Sequence, residues 1–146
     1  MASKGLRYVF IQFSAIFILL LFSPWRSLSW VTIFYVSATM LGLWAIWTVR
    51  KSKLSIFPEL KQGASLVQNG PYRLVRHPMY SAILLFFIPC IIHSVHFLPW
   101  VVYGLLAINL FFKMQYEEDL LRKEFKEYKE YKEYAEHTYY MIPFIY

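Results

Sequence analysis

The densest group of polar residues lies over residues 70–80, with the sequence GPYRLVRHPMY. Its opening Gly-Pro favours a turn, and Pro78 suits the first position of a helix, where a missing N–H costs little. Proline also disfavours helical geometry at the preceding residue, His77. Arg76 and His77 are therefore expected at the open N-terminus of a helix, where backbone N–H groups and the helix dipole favour an anionic or polar group.

The residues of this segment allow two interpretations. Basic residues that flank a membrane span, here Arg73 and Arg76, often anchor it to phospholipid phosphates. His77 favours a functional site, because its ring titrates near neutral pH and lies beside a helix start.

A pair of acids, Glu117 and Glu118, follows the last long apolar segment. Adjacent helical residues point about 100° apart, so at most one of the two is expected to face a given pocket. Acids directly after a membrane exit are disfavoured near an anionic leaflet. The alternative is a solvated face on which Glu118 pairs with Arg122 four residues later.

Three segments without Asp, Glu, Lys or Arg must position these residues, and they cover residues 8–25, 27–49 and 77–112. A membrane helix needs roughly 20 mostly apolar residues, so the first two are predicted to be single spans. The third would rise about 54 Å as one helix, against about 60 Å for two crossings. Because basic residues flank both of its ends, it is predicted to be a short helical hairpin.

The composition favours lipid as the solvent of this chain, since 58% of its 146 residues are hydrophobic and only 16% are charged. A soluble domain of this size could not bury that much apolar surface. Cys90 is the only cysteine, which excludes an internal disulfide and a cysteine metal cluster. His93 and His96 are interpreted as residues of the hairpin's outer turn rather than metal ligands.

The basic residues predict the orientation of the chain. If the N-terminus is cytosolic, 14 of the 15 Lys and Arg residues lie on the inner side and only Arg26 lies outside. This distribution follows the positive-inside rule and places both termini in the cytosol. A cleaved signal peptide is the alternative for the first span, but Pro24-Trp25-Arg26 is a poor cleavage site.

The sequence thus predicts an all-α, multi-pass membrane protein with a single domain over residues 1–146. It comprises two N-terminal spans (7–49), a cytosolic loop (50–77), a helical hairpin (78–113) and a cytosolic C-terminal helix and tail (114–146). Residues 114–140 are expected to form a cytosolic helix that extends the last span, with an apolar stripe formed by Leu121, Phe125 and Tyr128. The breakers expected in the loop are Pro58, Gly63, Gly70 and Pro71.

Three consecutive Lys-Glu-Tyr triplets, residues 126–134, are interpreted as a solvated helix face. Membrane lipids, and not nucleic acid, are the expected partners of the basic residues. The sequence does not indicate an oligomeric state.

The two polar groups together resemble the isoprenylcysteine carboxyl methyltransferases and the related phospholipid methyltransferases. The resemblance covers about residues 50–146, and the first two spans match only as hydrophobic segments. It rests on Leu66-Val67, residues 70–73 and 76–80, Glu117-Glu118 with Leu121 and Phe125, the later tyrosines and the closing Ile142-Pro143-Phe144-Ile145.

This resemblance implies an enzyme that transfers a methyl group from S-adenosyl-L-methionine to a lipid-like acceptor, such as a prenylated cysteine carboxylate or a phospholipid amine. It implies a membrane-embedded cofactor site without a Rossmann-type fold, and no Gly-x-Gly-x-x-Gly motif follows a strand here. The implied cofactor-binding residues are Gly70, Tyr72, Arg76, His77, Tyr80, Glu117 and Glu118. The candidate catalytic residues among them are His77, Glu118 and Arg76, and no metal is implied.

Some residues depart from the family pattern, and two other functions remain open. Lys126 stands where the family usually has glycine, and no arginine lies near Tyr140. One alternative is an NADPH-dependent, sterol-reductase-like membrane enzyme. The other is a non-enzymatic membrane adaptor that uses Arg76 and His77 as lipid anchors.

Overall fold

The computed structural model of the protein describes residues 2–24, 30–50, 67–124 and 129–142, and these ranges are helical apart from short turns and connections. Five α-helices follow in chain order: α1 (Ala2–Phe22), α2 (Val31–Val49), α3 (Pro78–His93), α4 (Leu98–Glu124) and α5 (Lys129–Glu136). A short 3₁₀ helix, Gly70–Arg73, precedes α3. Several residues named above lie outside the described ones: Trp25, Arg26, Pro58, Gly63, Leu66, Phe125, Lys126, Tyr128, Pro143, Phe144 and Ile145.

Within the part of the chain that the structure describes, three segments are long and apolar enough to cross a membrane: Lys4–Phe22 in α1, Val31–Val49 in α2 and Leu98–Arg122 in α4. Large apolar side chains such as Phe10 and Met40 are mostly exposed on them. Such surfaces are unfavourable in water and suit lipid. The apolar helix α3 has only 16 residues and is shorter than the other three.

The predicted hairpin is present as α3 and α4, joined at residues 94–97. Its second limb differs from the first, because α4 continues without a break past Lys113 to its end at Glu124. The charged residues after Lys113 therefore extend the last span, as predicted. The acids at 117 and 118 lie on the same continuous helix as the apolar limb.

The four apolar helices pack in pairs, with α2 along α3, α1 along α4, and α3 against α4 in the hairpin. On α2, small residues face α3: a Cβ added at Gly42 would lie 3.6 Å from the Cβ of Ala82. Close approach of this kind stabilises helix pairs in lipid, where hydrophobic burial contributes little. The buried side chains of α1, α3 and α4 form one core that includes Leu19, Phe87 and Leu106.

The segment predicted as a helix over 114–140 is helical to Glu124 and over Lys129–Glu136, but residues 137–140 are not helical. The Arg76 guanidinium contacts both ends of this stretch: its Nε lies 3.3 Å from Oε1 of Glu118, and its Nη1 donates to the carbonyl of Ala135 at 2.7 Å. One continuous helix would place residues 118 and 135 about 25 Å apart. Glu118 and Ala135 therefore lie much closer together than one continuous helix would allow, since both contact the same guanidinium.

Residues 137–141, here called the return segment, run beside the segment that enters α3. The backbone N–H of Arg76 donates to the carbonyl of Tyr139 at 2.8 Å, and that of His77 donates to the carbonyl of Tyr140 at 3.0 Å. These bonds satisfy backbone donors just before the helix start, where no intrahelical partner exists. The return segment thus holds the backbone from which Arg76 and His77 project.

Candidate active site

His77 caps the N-terminus of α3, as the proline after it predicts. Its backbone (φ −123°, ψ 57°) lies outside the helical region, and Pro78 occupies the first helical position. The side chain is mostly buried rather than directed into solvent. The sequence therefore turns the ring of His77 away from the axis of α3, towards α4.

The two acids of α4 meet this ring. Nε2 of His77 lies 3.1 Å from Oε1 of Glu118, and Nδ1 lies 3.7 Å from Oε2 of Glu117. The expectation that only one acid faces the site is wrong, because the imidazole has a nitrogen on each of two edges and reaches both carboxylates. The solvated-face interpretation is also wrong for Glu118, which is 3% exposed.

Tyr80 lies on the same face of α3 as His77 and binds the first of the acids. Its hydroxyl donates to Oε1 and Oε2 of Glu117, each at 2.7 Å. The rings of Tyr80 and His77 stack, with centroids 5.3 Å apart and planes within 4° of parallel. Tyr80 thus binds Glu117, whereas Glu118 lies against His77 and Arg76.

Arg76 contacts Glu118 and is 7% exposed. Its Nε lies at ion-pair distance from Glu118, although the alignment is too poor for a hydrogen bond. The guanidinium also lies 3.8 Å above the centroid of the Tyr140 ring. This burial contradicts the interpretation of Arg76 as a lipid-phosphate anchor, and only the exposed Arg73 still suits that role.

Tyr72 contributes a buried hydroxyl near Glu117 of α4. The residue is 6% exposed, and its hydroxyl has no hydrogen-bond partner among the described residues. Burial raises the pKa of Tyr72, and the nearby Glu117 carboxylate raises it further, so the hydroxyl stays protonated at neutral pH. Because buried polar groups are nearly always satisfied, this hydroxyl is suited to a bound ligand.

Comparison with protein-family models matches the phospholipid methyltransferase family over residues 26–128, more than two thirds of the chain. The chain belongs to the phospholipid methyltransferase family. This confirms the resemblance found in the sequence and places the chain among membrane methyltransferases. The match includes α2, which the resemblance treated only as a hydrophobic segment, and omits α1, α5 and the return segment. No curated protein and no solved structure matches the chain.

Within this family member, Gly70 lies close to side chains of α2. Its φ is +61°, a conformation that favours glycine. A Cβ added there would lie 2.7 Å from Oγ1 of Thr48 and 3.1 Å from Nε1 of Trp44. Gly70 therefore places the turn before α3 against the end of α2.

Sequence analysis missed two groups beside the site. It assigned Lys113 only to the cytosolic end of the hairpin, yet this side chain is buried and Nζ donates to Oε1 of Gln12 at 2.9 Å. It interpreted Tyr134 as belonging to a solvated face, yet the hydroxyl of Tyr134 donates to the carbonyl of Tyr72 at 2.7 Å. A charge inside an apolar helix is a signal of function, and that signal could have identified Lys113.

His93 and His96 lie at the other end of α3, away from the acids. The rings of His93 and Trp30 have centroids 5.6 Å apart, and those of His96 and Phe22 lie 6.3 Å apart. No group of three metal-ligating side chains occurs among the residues that the structure describes. His96 lies in the predicted turn, whereas His93 is the last residue of α3, and both rings lie near aromatic side chains.

Proposed function

We propose that this protein is an S-adenosylmethionine-dependent methyltransferase that acts on a lipid-like acceptor at the cytosolic face of a membrane. The observation that supports it is the meeting of two distant segments: the start of α3, with Arg76 and His77, and the acids Glu117 and Glu118 of α4. Both segments lie within the residues that match the methyltransferase family.

The chemistry of these side chains fits S-adenosylmethionine, which carries an amino acid group, ribose hydroxyls and an adenine. Carboxylates such as Glu117 and Glu118 accept hydrogen bonds from an ammonium or from ribose hydroxyls, and the Arg76 guanidinium suits a carboxylate. The unsatisfied Tyr72 hydroxyl offers one further donor. The residues proposed to hold the cofactor are those seven implied by the resemblance: Gly70, Tyr72, Arg76, His77, Tyr80, Glu117 and Glu118.

S-adenosylmethionine supplies an electrophilic methyl group on a sulfonium when it is bound. The protein then has to align the acceptor and exclude water, effects worth up to about 7–11 kcal/mol in favourable cases. The interlocked contacts of Arg76, His77, Tyr80 and the two acids suit this task, because each of these side chains already has a neighbour that fixes its direction. Such a preorganised group needs little rearrangement when a ligand binds.

The acceptor decides whether the site needs a base. An amine acceptor must lose a proton, and His77 is placed to receive it, with Glu118 at 3.1 Å orienting and stabilising the charged ring. A carboxylate acceptor is already ionised at neutral pH and needs no base. The paired His77 and Glu118 therefore favour an amine slightly, and a phospholipid amine is the acceptor we propose first.

The placement of the site at one end of α3 supports a reaction at headgroup level. An apolar helix of 16 residues rises about 24 Å, so its first residue lies near one edge of the hydrocarbon layer. The acceptor's headgroup would react there while its tails stay among the exposed apolar side chains of the helices. The excess of basic residues on this side supports the cytosolic face and cytosolic termini.

Binding measurements on the purified full-length protein in detergent test the proposal. We expect S-adenosylhomocysteine to bind with a low micromolar dissociation constant by isothermal titration calorimetry, and NADPH not to bind. Binding of NADPH alone would favour the reductase, and binding of neither compound would favour the adaptor. A labelled-methyl assay with phospholipids and prenylated cysteine compounds would then identify the acceptor.

A further inference from the structure

Lys113 is a buried charge within the membrane span of α4. The side chain is 2% exposed, and its ammonium donates to Oε1 of Gln12 on α1 at 2.9 Å. A charged side chain inside a membrane is costly and usually marks a function. The amide oxygen of Gln12 satisfies one donor of the ammonium but leaves its charge uncancelled, since the amide is neutral.

The ammonium lies beside the pair formed by Tyr80 and Glu117. Lys113 precedes Glu117 by one helical turn, so the two side chains lie on the same face of α4. Its Nζ lies 5.2 Å from the centroid of the Tyr80 ring. The Tyr80 hydroxyl binds the carboxylate of Glu117 at 2.7 Å, so the ring beside the ammonium is the one that holds this acid.

The charges of the site divide into two sets. Arg76 lies against Glu118 at ion-pair distance, and Lys113 is the nearest cation on the helix of Glu117. In a region of low dielectric constant, opposite charges attract strongly even when they lie several ångströms apart. Such an attraction favours one arrangement of the charged side chains over others. Gln12 holds the ammonium where it acts on Glu117, although Gln12 itself lies on another helix.

We propose that Gln12 and Lys113 position the Tyr80–Glu117 pair for ligand binding, so that α1 contributes to the active site. Lys113 is a positioning residue, because it acts through Tyr80 and Glu117. Since the family match begins at residue 26, this inference assigns a role in the site to a helix that lies outside the matched residues. It rests on the proposed function.

A second contact between α1 and α4, one helical turn before Lys113, offers a matched control. Nδ2 of the buried Asn109 donates to the carbonyl of Tyr8 at 3.1 Å. This contact joins the same two helices, α1 and α4, and it involves neither Tyr80 nor the acids. A substitution at Asn109 therefore reports on the packing of α1 and α4 without altering the charge beside the site.

The test compares S-adenosylhomocysteine binding and thermal unfolding of the full-length protein in detergent for four variants. In Gln12→Leu/Lys113→Met, both partners become apolar, a change that is close to neutral for stability. We expect this variant to unfold at the temperature of the unmodified protein but to bind about tenfold more weakly, the effect of about 1.4 kcal/mol. Lys113→Arg, which keeps the charge, should retain binding within about twofold.

The remaining variants separate positioning from packing. Gln12→Leu alone should weaken binding less than the double variant does, because the positive charge is kept although the acceptor that positions it is lost. Asn109→Leu should leave binding unchanged. The inference is overturned if the double variant binds as tightly as the unmodified protein, or if Asn109→Leu weakens binding equally. Absence of binding in the unmodified protein would instead refute the proposed function, and this inference with it.

Discussion

The two ends of α3 each place a histidine beside another helix, but in opposite chemical surroundings. At the start of α3, the ring nitrogens of His77 lie 3.1 Å and 3.7 Å from two carboxylates. At its end, the ring of His93 packs near that of Trp30, and Nδ1 lies 3.3 Å from the carbonyl of Pro89 in the same helix. The two ends of α3 thus carry the same residue type, but the groups around the two rings differ.

The difference follows from the antiparallel arrangement of α3 and α4. The apolar beginning of α4 lies near the end of α3, and the acidic residues of α4 lie near the start of α3. A histidine among aromatic rings packs at the membrane interface, as amphipathic rings often do. A histidine between carboxylates can hold or transfer a proton. The hairpin thus makes one end of α3 chemically active.

The largest effect is expected from Glu118, which contacts both Arg76 and His77. Glu118→Ala leaves a buried arginine without its counter-ion, and loss of one partner from a buried ion pair costs about 3–5 kcal/mol. We expect S-adenosylhomocysteine binding to fall below detection by calorimetry, with a lower unfolding temperature. Glu136→Ala, which changes an exposed acid of α5, is the matched control. Tight binding by Glu118→Ala would show that this carboxylate lies outside the site.

The comparison of the two histidines is tested directly by His77→Ala and His93→Ala. Loss of the His77 ring removes the group that links the two acids, and we expect binding to weaken by about 10- to 100-fold, or about 1.4–2.7 kcal/mol. His93→Ala should bind like the unmodified protein in the same titration. Equal losses in the two variants would contradict the assignment of chemistry to one end of α3.

A smaller effect is expected at Tyr80, whose hydroxyl holds Glu117. Tyr80→Phe keeps the ring stacked on His77 but frees the carboxylate, and we expect about tenfold weaker binding, consistent with loss of a hydrogen bond to a charged group. Tyr103→Phe is the control, because its hydroxyl also joins α4 to α3, through the carbonyl of Leu84. If both variants bind alike, the Tyr80–Glu117 contact serves only to join the helices.

The smallest effect is expected from Tyr72→Phe. Because the Tyr72 hydroxyl has no partner among the described residues, its removal should not lower the unfolding temperature of the ligand-free protein. Binding should weaken by about three- to tenfold, since a donor to the ligand is lost. The comparison of thermal unfolding with and without S-adenosylhomocysteine measures both effects. Unchanged binding would exclude this hydroxyl from ligand contact.

Much of the fold could be predicted because it depends on local properties. Charge-free length predicted the helices α1 and α2, and Pro78 predicted the start of α3. The hairpin followed from the length of its segment and the basic residues at both ends. The contact of Ala135 in α5 with Arg76 could not be predicted, since a charged stretch with helical spacing carries no information about the arginine that it contacts.

The site was predicted in its members but not in its arrangement. Arg76, His77, Glu117 and Glu118 were identified from their surroundings and from the family resemblance. Their direct contacts join residues about forty positions apart, and helical periodicity alone suggested that only one acid would face the site. The contact of Lys113 was missed because its partner, Gln12, lies on another helix. Nothing in the sequence pattern indicates a polar contact with that helix.

The sequence alone therefore determined that the chain has membrane-length apolar helices, where α3 begins, and which polar residues could do chemistry. These properties are set by composition and spacing over a few helical turns. Tertiary structure decided that both acids meet His77, that α5 and the return segment hold the start of α3, and that Gln12 binds Lys113. Such contacts depend on how the helices pack, because hydrogen bonds and ion pairs form only where side chains from distant segments come within a few ångströms.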